Sequence, residues 1–405
     1  MSKKKRQTSK QAPAMSMARI KGVVEQARLN QDGVLLLAVG LLLGFGLMMV
    51  ASASLHLGAR TGDSMRYVDR HLLALLLGCL GAAMVYFTPT HWWEKGSTWL
   101  YFLGLGLLLL VFIPGLGREA NGAMRWVGVG PMSLQTSEFM KLFIVLYMAG
   151  YVVRRQLEVA HTVWGFTKPL ILLLAACFLI MLQPDFGTTA VLLATAFGML
   201  FLAGAPLWQF GLLISLAGGA LAALIYFSPY RMARVTSFLN PWEQVQDAGY
   251  QLAQALIAFG RGEWTGVGLG NGIQKQFYLP EAHTDFVMAV IGEEFGLVGT
   301  LIVIALFSLI IWRAFSIGAV AEQRNARYSA YVAYGLGLWI GMQAFINIGV
   351  NMGMLPTKGL TLPFISYGSN SLIVCCIAVG MLLRIHTENN RAGHGLSKGG
   401  AWQRA

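Results

Sequence analysis

The sequence predicts an all-α, polytopic integral membrane protein with ten transmembrane helices and both termini cytoplasmic. Three observations carry this. Of 405 residues, 56% are hydrophobic and only 12% charged, about half the charged share of an ordinary soluble domain. Uncharged stretches long enough to cross ~30 Å of hydrocarbon recur along the whole chain. The net charge of +12 gathers at the ends of those stretches and in one basic tail, a pattern of membrane orientation rather than of nucleic-acid binding. An ordinary soluble enzyme, a disordered tail and a fibrous repeat are excluded on the same grounds.

Residues 1–31 form a basic tail, with Lys3, Lys4, Lys5, Arg6, Lys10, Arg19, Lys21 and Arg28, expected in the cytoplasm. The apolar run from Gly33 to Ser54 is too long for the core of a cleaved signal peptide and reads as a retained first span. Further spans are expected at 71–88, 97–115, 135–153, 167–183, 187–204, 208–228, 287–312, 329–351 and 367–385. Residues 32–386 thus make one membrane domain, followed by a cytoplasmic tail, 387–405. Basic residues recur around Arg154, Arg155 and Lys168, around Arg313, Arg324 and Arg327, and from Arg384 onward, which places those segments inside. The outer side carries a medium loop (116–134), a large periplasmic loop (228–284) and a third loop (352–366).

Within the large loop, Tyr250 to Phe259 has apolar groups at helical spacing. That fits a short amphipathic helix, lying either on the outer membrane surface or against the bundle. No internal repeat is visible, which weighs against an inverted-repeat transporter. Cys79, Cys177, Cys375 and Cys376 all lie inside apolar runs. The last two face different sides of one helix, so neither a structural disulfide nor a metal cluster is expected.

An ionisable group within a span costs at least ~2.5–3.5 kcal/mol and by default marks function or a buried pair. Glu138, Lys141, Asp185, Asp285, Glu293 and Glu294 all fall in the outer halves or at the outer ends of their spans, which suggests one polar cavity opening outward. Glu138 and Lys141, at i and i+3, share a helix face and can pair. Upstream, Arg125 suits a phosphate or carboxylate and Trp126 a sugar face, with interfacial anchoring as the alternative. Asp185 follows Pro184 in a turn and reads as a helix cap. The glycines at 266, 268, 270 and 272 follow no strand, so they do not make a dinucleotide fingerprint. Thr284 is expected to cap the next helix, leaving Asp285 in its first turn as a capping carboxylate, a base or a metal ligand. His283 is a secondary candidate base or ligand. Of Glu293 and Glu294, about 100° apart on a helix, at most one enters a shared cavity. In the third loop Lys358 can neutralise phosphate, and Ser366, Ser369 and Ser371 can donate to sugar or phosphate oxygens.

Several motifs then coincide in order: Arg125-Trp126, Ser137-Glu-Phe-Met-Lys141, Gln183-Pro-Asp-Phe-Gly187, Tyr278-Leu-Pro-Glu-Ala-His-Thr-Asp-Phe286, Ile291-Gly-Glu-Glu-Phe-Gly296 and Leu362-Pro-Phe-Ile-Ser-Tyr-Gly368. Over about residues 33–386 the chain resembles the SEDS (shape, elongation, division and sporulation) membrane proteins. Asn240-Pro-Trp-Glu243, Gly260-Arg-Gly-Glu-Trp264 and Pro280-Glu-Ala-His283 are most similar to the division branch. Gly368-Ser369-Asn370-Ser371 departs from the family's usual Gly-Gly-Ser-Ser.

The resemblance implies a SEDS-type ten-span fold and an inverting peptidoglycan glycosyltransferase that polymerises lipid II into β-1,4-linked glycan strands, releasing undecaprenyl diphosphate during septal wall synthesis. It implies Asp285 as the essential residue and base, with a divalent cation (Mg2+ or Mn2+) held there and no organic cofactor. Arg125, Trp126, Glu138, Lys141, Asp185, Lys275, Glu281, His283, Lys358, Ser366 and Ser369 are then the expected substrate-binding residues. Implied partners are lipid II, the growing glycan strand, a class B penicillin-binding transpeptidase and other division membrane proteins, at the septal inner membrane. Inversion needs one in-line displacement and so one base, while positive charge must stabilise the leaving diphosphate. A lipid II flippase and a non-catalytic division scaffold are the other function classes. The first would form no polymer; the second would tolerate loss of Asp285.

Overall fold

The uncharged runs fold as helices because a backbone in hydrocarbon must satisfy its own hydrogen bonds. The structure, a computed structural model, describes residues 32–60, 63, 65–120, 123–129, 132–226, 238, 240–243, 249–276, 278–356 and 359–400. The basic tail, much of the large outer loop and Lys358 lie outside the described residues. In chain order the helices are α1 (Gly33–Arg60), α2 (Arg66–Phe87), α3 (Thr90–Leu110), α4 (Thr136–Arg154), α5 (Gln156–His161), α6 (Val163–Leu182), α7 (Phe186–Leu202), α8 (Leu207–Tyr226), α9 (Tyr250–Gly262), α10 (Val287–Gln323), α11 (Arg327–Asn351) and α12 (Ser369–Gly400).

Each expected span falls on one of these helices. Among the described residues, seven are long and apolar enough to cross a membrane: α1, α2, α4, α6, α10, α11 and α12. The other three expected spans fall on α3, α7 and α8. Helix α4 is the most enclosed of the seven, and it packs against α3, α7 and α11. Outside it, α12 lies along α2, and α10 along α11 and α1. All four cysteines are free thiols.

Two expectations need correction. The segment read as a plain loop at 116–134 carries three short antiparallel strands, β1 (Gly117–Ala120), β2 (Ala123–Val129) and β3 (Met132–Gln135), in the order β1-β2-β3. Trp126 pairs with Arg118 on one side and Gln135 on the other, so the fold is helical with one small sheet on its outer side. The span expected at 287–312 is not one continuous helix either. Gly296 interrupts α10 with φ +63° and ψ −157°, a conformation open to glycine alone at little cost.

Before the break, residues 287–294 are buried on every side, as in a helix enclosed by protein. After it, Leu297, Val298, Leu301 and Ile302 are exposed, so the lipid-facing rod begins at the break. Backbone groups freed there are taken up by residues 263–268. The Val267 and Gly268 N–H groups donate to the carbonyls of Glu293 and Glu294 (both 3.0 Å), while Leu297 and Val298 donate to Glu263 and Trp264 (2.9 and 3.1 Å). Irregular backbone inside a membrane protein is tolerated where such partners enclose it.

Candidate active site

Three pieces of chain converge on the outer side of the bundle: the turn before α10, the segment 359–368 before α12, and the turn between α6 and α7 with the sheet docked on it. Asp285 stands in the first. Thr284 was expected to cap α10 but does not; its hydroxyl donates to the carboxylate (2.7 Å) and carbonyl (3.2 Å) of Glu281. The helix starts at Val287 with no side-chain cap. Asp285 therefore precedes the first turn instead of lying in it and lacks the helix N-terminus as a stabiliser.

The half-buried Asp285 carboxylate receives no hydrogen bond from any described residue, and Gly359 stands beside it. A Cβ on Gly359 would sit 3.1 Å from Oδ2, so this position has to be bare for the carboxyl to stay where it is. Burial, followed by the nearby Glu281 carboxylate, pushes the Asp285 pKa up from 3.8 to about 7; Arg125 pulls it down and Asp185 raises it further. Two segments around it hold left-handed residues, Glu281 (φ +55°) and Phe364 (φ +65°), each costing on the order of 1 kcal/mol or more. Such strain gathers where the chain must aim particular groups.

Arg125, on β2, donates from Nε to the Gln183 carbonyl (3.0 Å) and from Nη2 to that of Pro184 (2.8 Å). It thereby fastens the sheet to the α6–α7 turn, yet remains close enough to act on Asp285. Trp126 is half-buried beside it. Asp185 caps α7 by accepting from the Thr188 N–H (3.1 Å) and hydroxyl (2.9 Å), and Ser137 Oγ also reaches it (3.2 Å).

Glu138 and Lys141 form the expected pair, 2.8 Å apart and buried. Lys141 is committed to other groups as well: its Nζ also donates to Gln343 Oε1 (2.8 Å) and lies 5.5 Å from the Trp339 ring centroid. Lys275 is buried against Glu294 and Ser52, with its Nζ 2.6 Å from the Ser52 hydroxyl. Glu293 takes Arg261 (3.0 Å) and the backbone N–H of Ile273 (2.9 Å). Both acidic residues at 293 and 294 are thus committed to holding residues 261–275 against α10.

The His283 ring packs against Tyr67 (5.2 Å between centroids) and Tyr367 (5.5 Å), and burial lowers its pKa against the opposing effect of Glu281. Ser366 Oγ accepts from the Leu362 N–H (2.8 Å), closing the 362–366 turn. Ser369 opens α12, half-buried. Helix α9 lies against α10 with Leu252, Ala253, Ala255 and Ala258 buried, so of the two placements open for it, the packed one is observed.

Sequence reasoning passed over Tyr67 and, on α11, Gln343 and Asn347. The signal available was three carboxamides one turn apart, Gln343, Asn347 and Asn351, in an otherwise apolar span.

A divalent cation of the hard, oxygen-seeking kind takes oxygen ligands. Asp285 feels Glu281 and Asp185 as like charges and Arg125 as the opposing one. One or two carboxylates completed by substrate phosphates and water make such a site. Among the described residues no group of three or more His, Cys, Asp or Glu could hold a metal ion, so a cation here would depend on substrate oxygens.

A family model described as "Cell cycle protein", for FtsW, RodA and SpoVE, matches residues 33–391. The chain is 55% identical over 385 residues to the probable peptidoglycan glycosyltransferase FtsW of Allochromatium vinosum, covering 94% of this chain and 96% of the relative. It is 53% identical over 352 residues to the Pseudomonas fluorescens protein of the same name, covering 86% of each. Among solved structures, it is similar to a chain from work on coordination of polymerization and crosslinking by a peptidoglycan synthase complex (TM-score 0.72, 29% identity, 89% of this chain and 98% of that one). The rod shape determining protein RodA of Thermus thermophilus is also similar (TM-score 0.65, 27% identity, 89% and 97% covered).

Proposed function

Since the chain belongs to the cell cycle protein family of FtsW, RodA and SpoVE, the SEDS proteins, we propose that it is the division-type peptidoglycan glycosyltransferase. It polymerises lipid II into β-1,4-linked glycan strands and releases undecaprenyl diphosphate. The observation that carries the mechanism is the half-buried Asp285 carboxyl, poised near neutrality by burial and by Glu281, with Arg125 in reach. A general base works best when its pKa lies near the working pH. Asp285 takes the proton from the acceptor 4-hydroxyl as that oxygen attacks C1 of the lipid-linked donor; the C1–O bond to the diphosphate breaks with inversion.

Arg125 has donors beyond the two it gives to Gln183 and Pro184, and these meet the departing phosphate oxygens. A divalent cation would be held by Asp285 and Glu281 and would supply further positive charge to the diphosphate. Because the polyprenyl tails stay in the bilayer, the reaction runs at the outer face of the inner membrane, at the septum. A class B transpeptidase crosslinks the strands, a pairing supported by the solved relative's association with polymerization and crosslinking. The tails 1–31 and 387–405 lie on the cytoplasmic side.

The test is direct. Purified full-length protein with its transpeptidase partner, supplied with lipid II, is expected to form glycan strands. Asp285→Ala and Asp285→Asn should abolish this while retaining the wild-type elution profile. An inert wild type, or an active Asp285→Ala, overturns the reading.

A further inference from the structure

Asp285 does not sit where ordinary helix geometry would put it, and α11 shows why. In a continuous helix the Asp285 carbonyl would accept the N–H of Ala289, four residues on. Instead, Ala289 N–H donates to Asn351 Oδ1 (3.1 Å), with a second contact to the Phe286 carbonyl (3.0 Å). Asn351 Nδ2 returns a hydrogen bond to the Asp285 carbonyl (2.9 Å). The side-chain amide of one helix is thus spliced into the first turn of another, replacing a backbone bond by two.

One turn earlier on α11, Asn347 Nδ2 also donates to the Asp285 carbonyl (2.9 Å) and to that of Leu360. Another turn earlier, Gln343 Nε2 donates to the Thr361 carbonyl (3.0 Å), and its Oε1 receives Lys141. All three amides are buried. With two donors on its carbonyl, the peptide plane after Asp285 is fixed. The same ladder fixes Leu360 and Thr361, next to the bare Gly359 that faces the Asp285 carboxylate.

We infer that Asn351, with Asn347, is the positioning residue for Asp285: the inserted carboxamide keeps α10 from winding back through residue 285 and so aims the carboxylate at the segment 359–361. The inference rests on the glycosyltransferase reading above. The physical warrant is that a misplacement of about 1 Å can cost on the order of 100-fold in rate.

The experiment uses the full chain with its transpeptidase partner and lipid II, recording kcat, KM and the thermal midpoint. Asn351→Leu keeps similar bulk but neither donates nor accepts. It is expected to lose about 100-fold in kcat while KM stays within about threefold. Asn351→Gln, which retains both functions on a longer arm, should recover at least about tenfold of the loss. Asn347→Ala, which leaves the Asn351 splice intact, is expected to lose about tenfold in kcat at unchanged KM, and it decides the matter if Asn351→Leu does not fold.

Turnover within threefold of wild type in Asn351→Leu, or in Asn347→Ala should the first not fold, overturns the inference. So does a loss confined to KM, or one that merely follows the unfolded fraction. If the wild type itself forms no glycan, the underlying reading fails and this one with it; an active wild type with indifferent α11 variants defeats the inference alone.

Discussion

At Asp285, one carboxyl group links chemistry to stability. It must be ionised to accept a proton, so turnover is expected to fall as pH drops through its pKa, about 7 without a cation and lower with one bound; a profile flat across the whole acidic range would contradict a base at this position. Because the folded pKa is raised from 3.8 to about 7, the stability belonging to the neutral carboxyl is fully present below about pH 4 and lost as pH rises through 7. Asp285→Asn, neutral throughout, should melt roughly 2–4 °C above wild type at about pH 8 and level with it near pH 4. Thermal scans at the two pH values check this. Gly359→Ala would set a Cβ 3.1 Å from Oδ2, so the carboxylate must give by a few tenths of an ångström and kcat should fall; unchanged kinetics would show that the carboxyl has room to spare. Residues whose roles follow from local chemistry were legible in the sequence, such as the Asp185 cap and the Glu138–Lys141 pair. The place of Asp285 was not, because the amide that displaces it comes from sixty-six residues downstream.

Between elements, buried charge decides what holds the outer segments. Lys275 was expected to meet substrate, but its ammonium is enclosed with Glu294. Removing one partner of a buried pair costs about 3–5 kcal/mol. Lys275→Met should therefore melt well below wild type, and Lys275→Met with Glu294→Gln should regain most of that loss. A single variant that melts normally but shows a raised KM would return Lys275 to the substrate. The helices themselves were readable from length and hydropathy, since hydrocarbon permits few alternatives. The sheet at 117–135 was not, although Asn121-Gly122 followed by a run with Met124, Trp126, Val127 and Val129 is a recognised hairpin signal. A reading tuned to membrane spans passes over strands of four to seven residues. The packed α9 was half legible: its amphipathic face was evident, while the surface it meets depends on α10.

For the whole molecule, the distribution of basic residues assigns the sides. In a cysteine-free background, Trp242→Cys is expected to react with an impermeant thiol reagent added from outside, and Asn325→Cys only after permeabilisation. Equal labelling of both from one side would invert or break the ten-span arrangement. The broken helix α10 bears on motion as well. The segment 263–268 holds both sides of the Gly296 break through four backbone hydrogen bonds, two to each side, so bending there would require giving up at least one of the two pairs. The glycine is consequently a braced elbow, with the helical residues that follow Asp285 tied to the rod after the break through that segment.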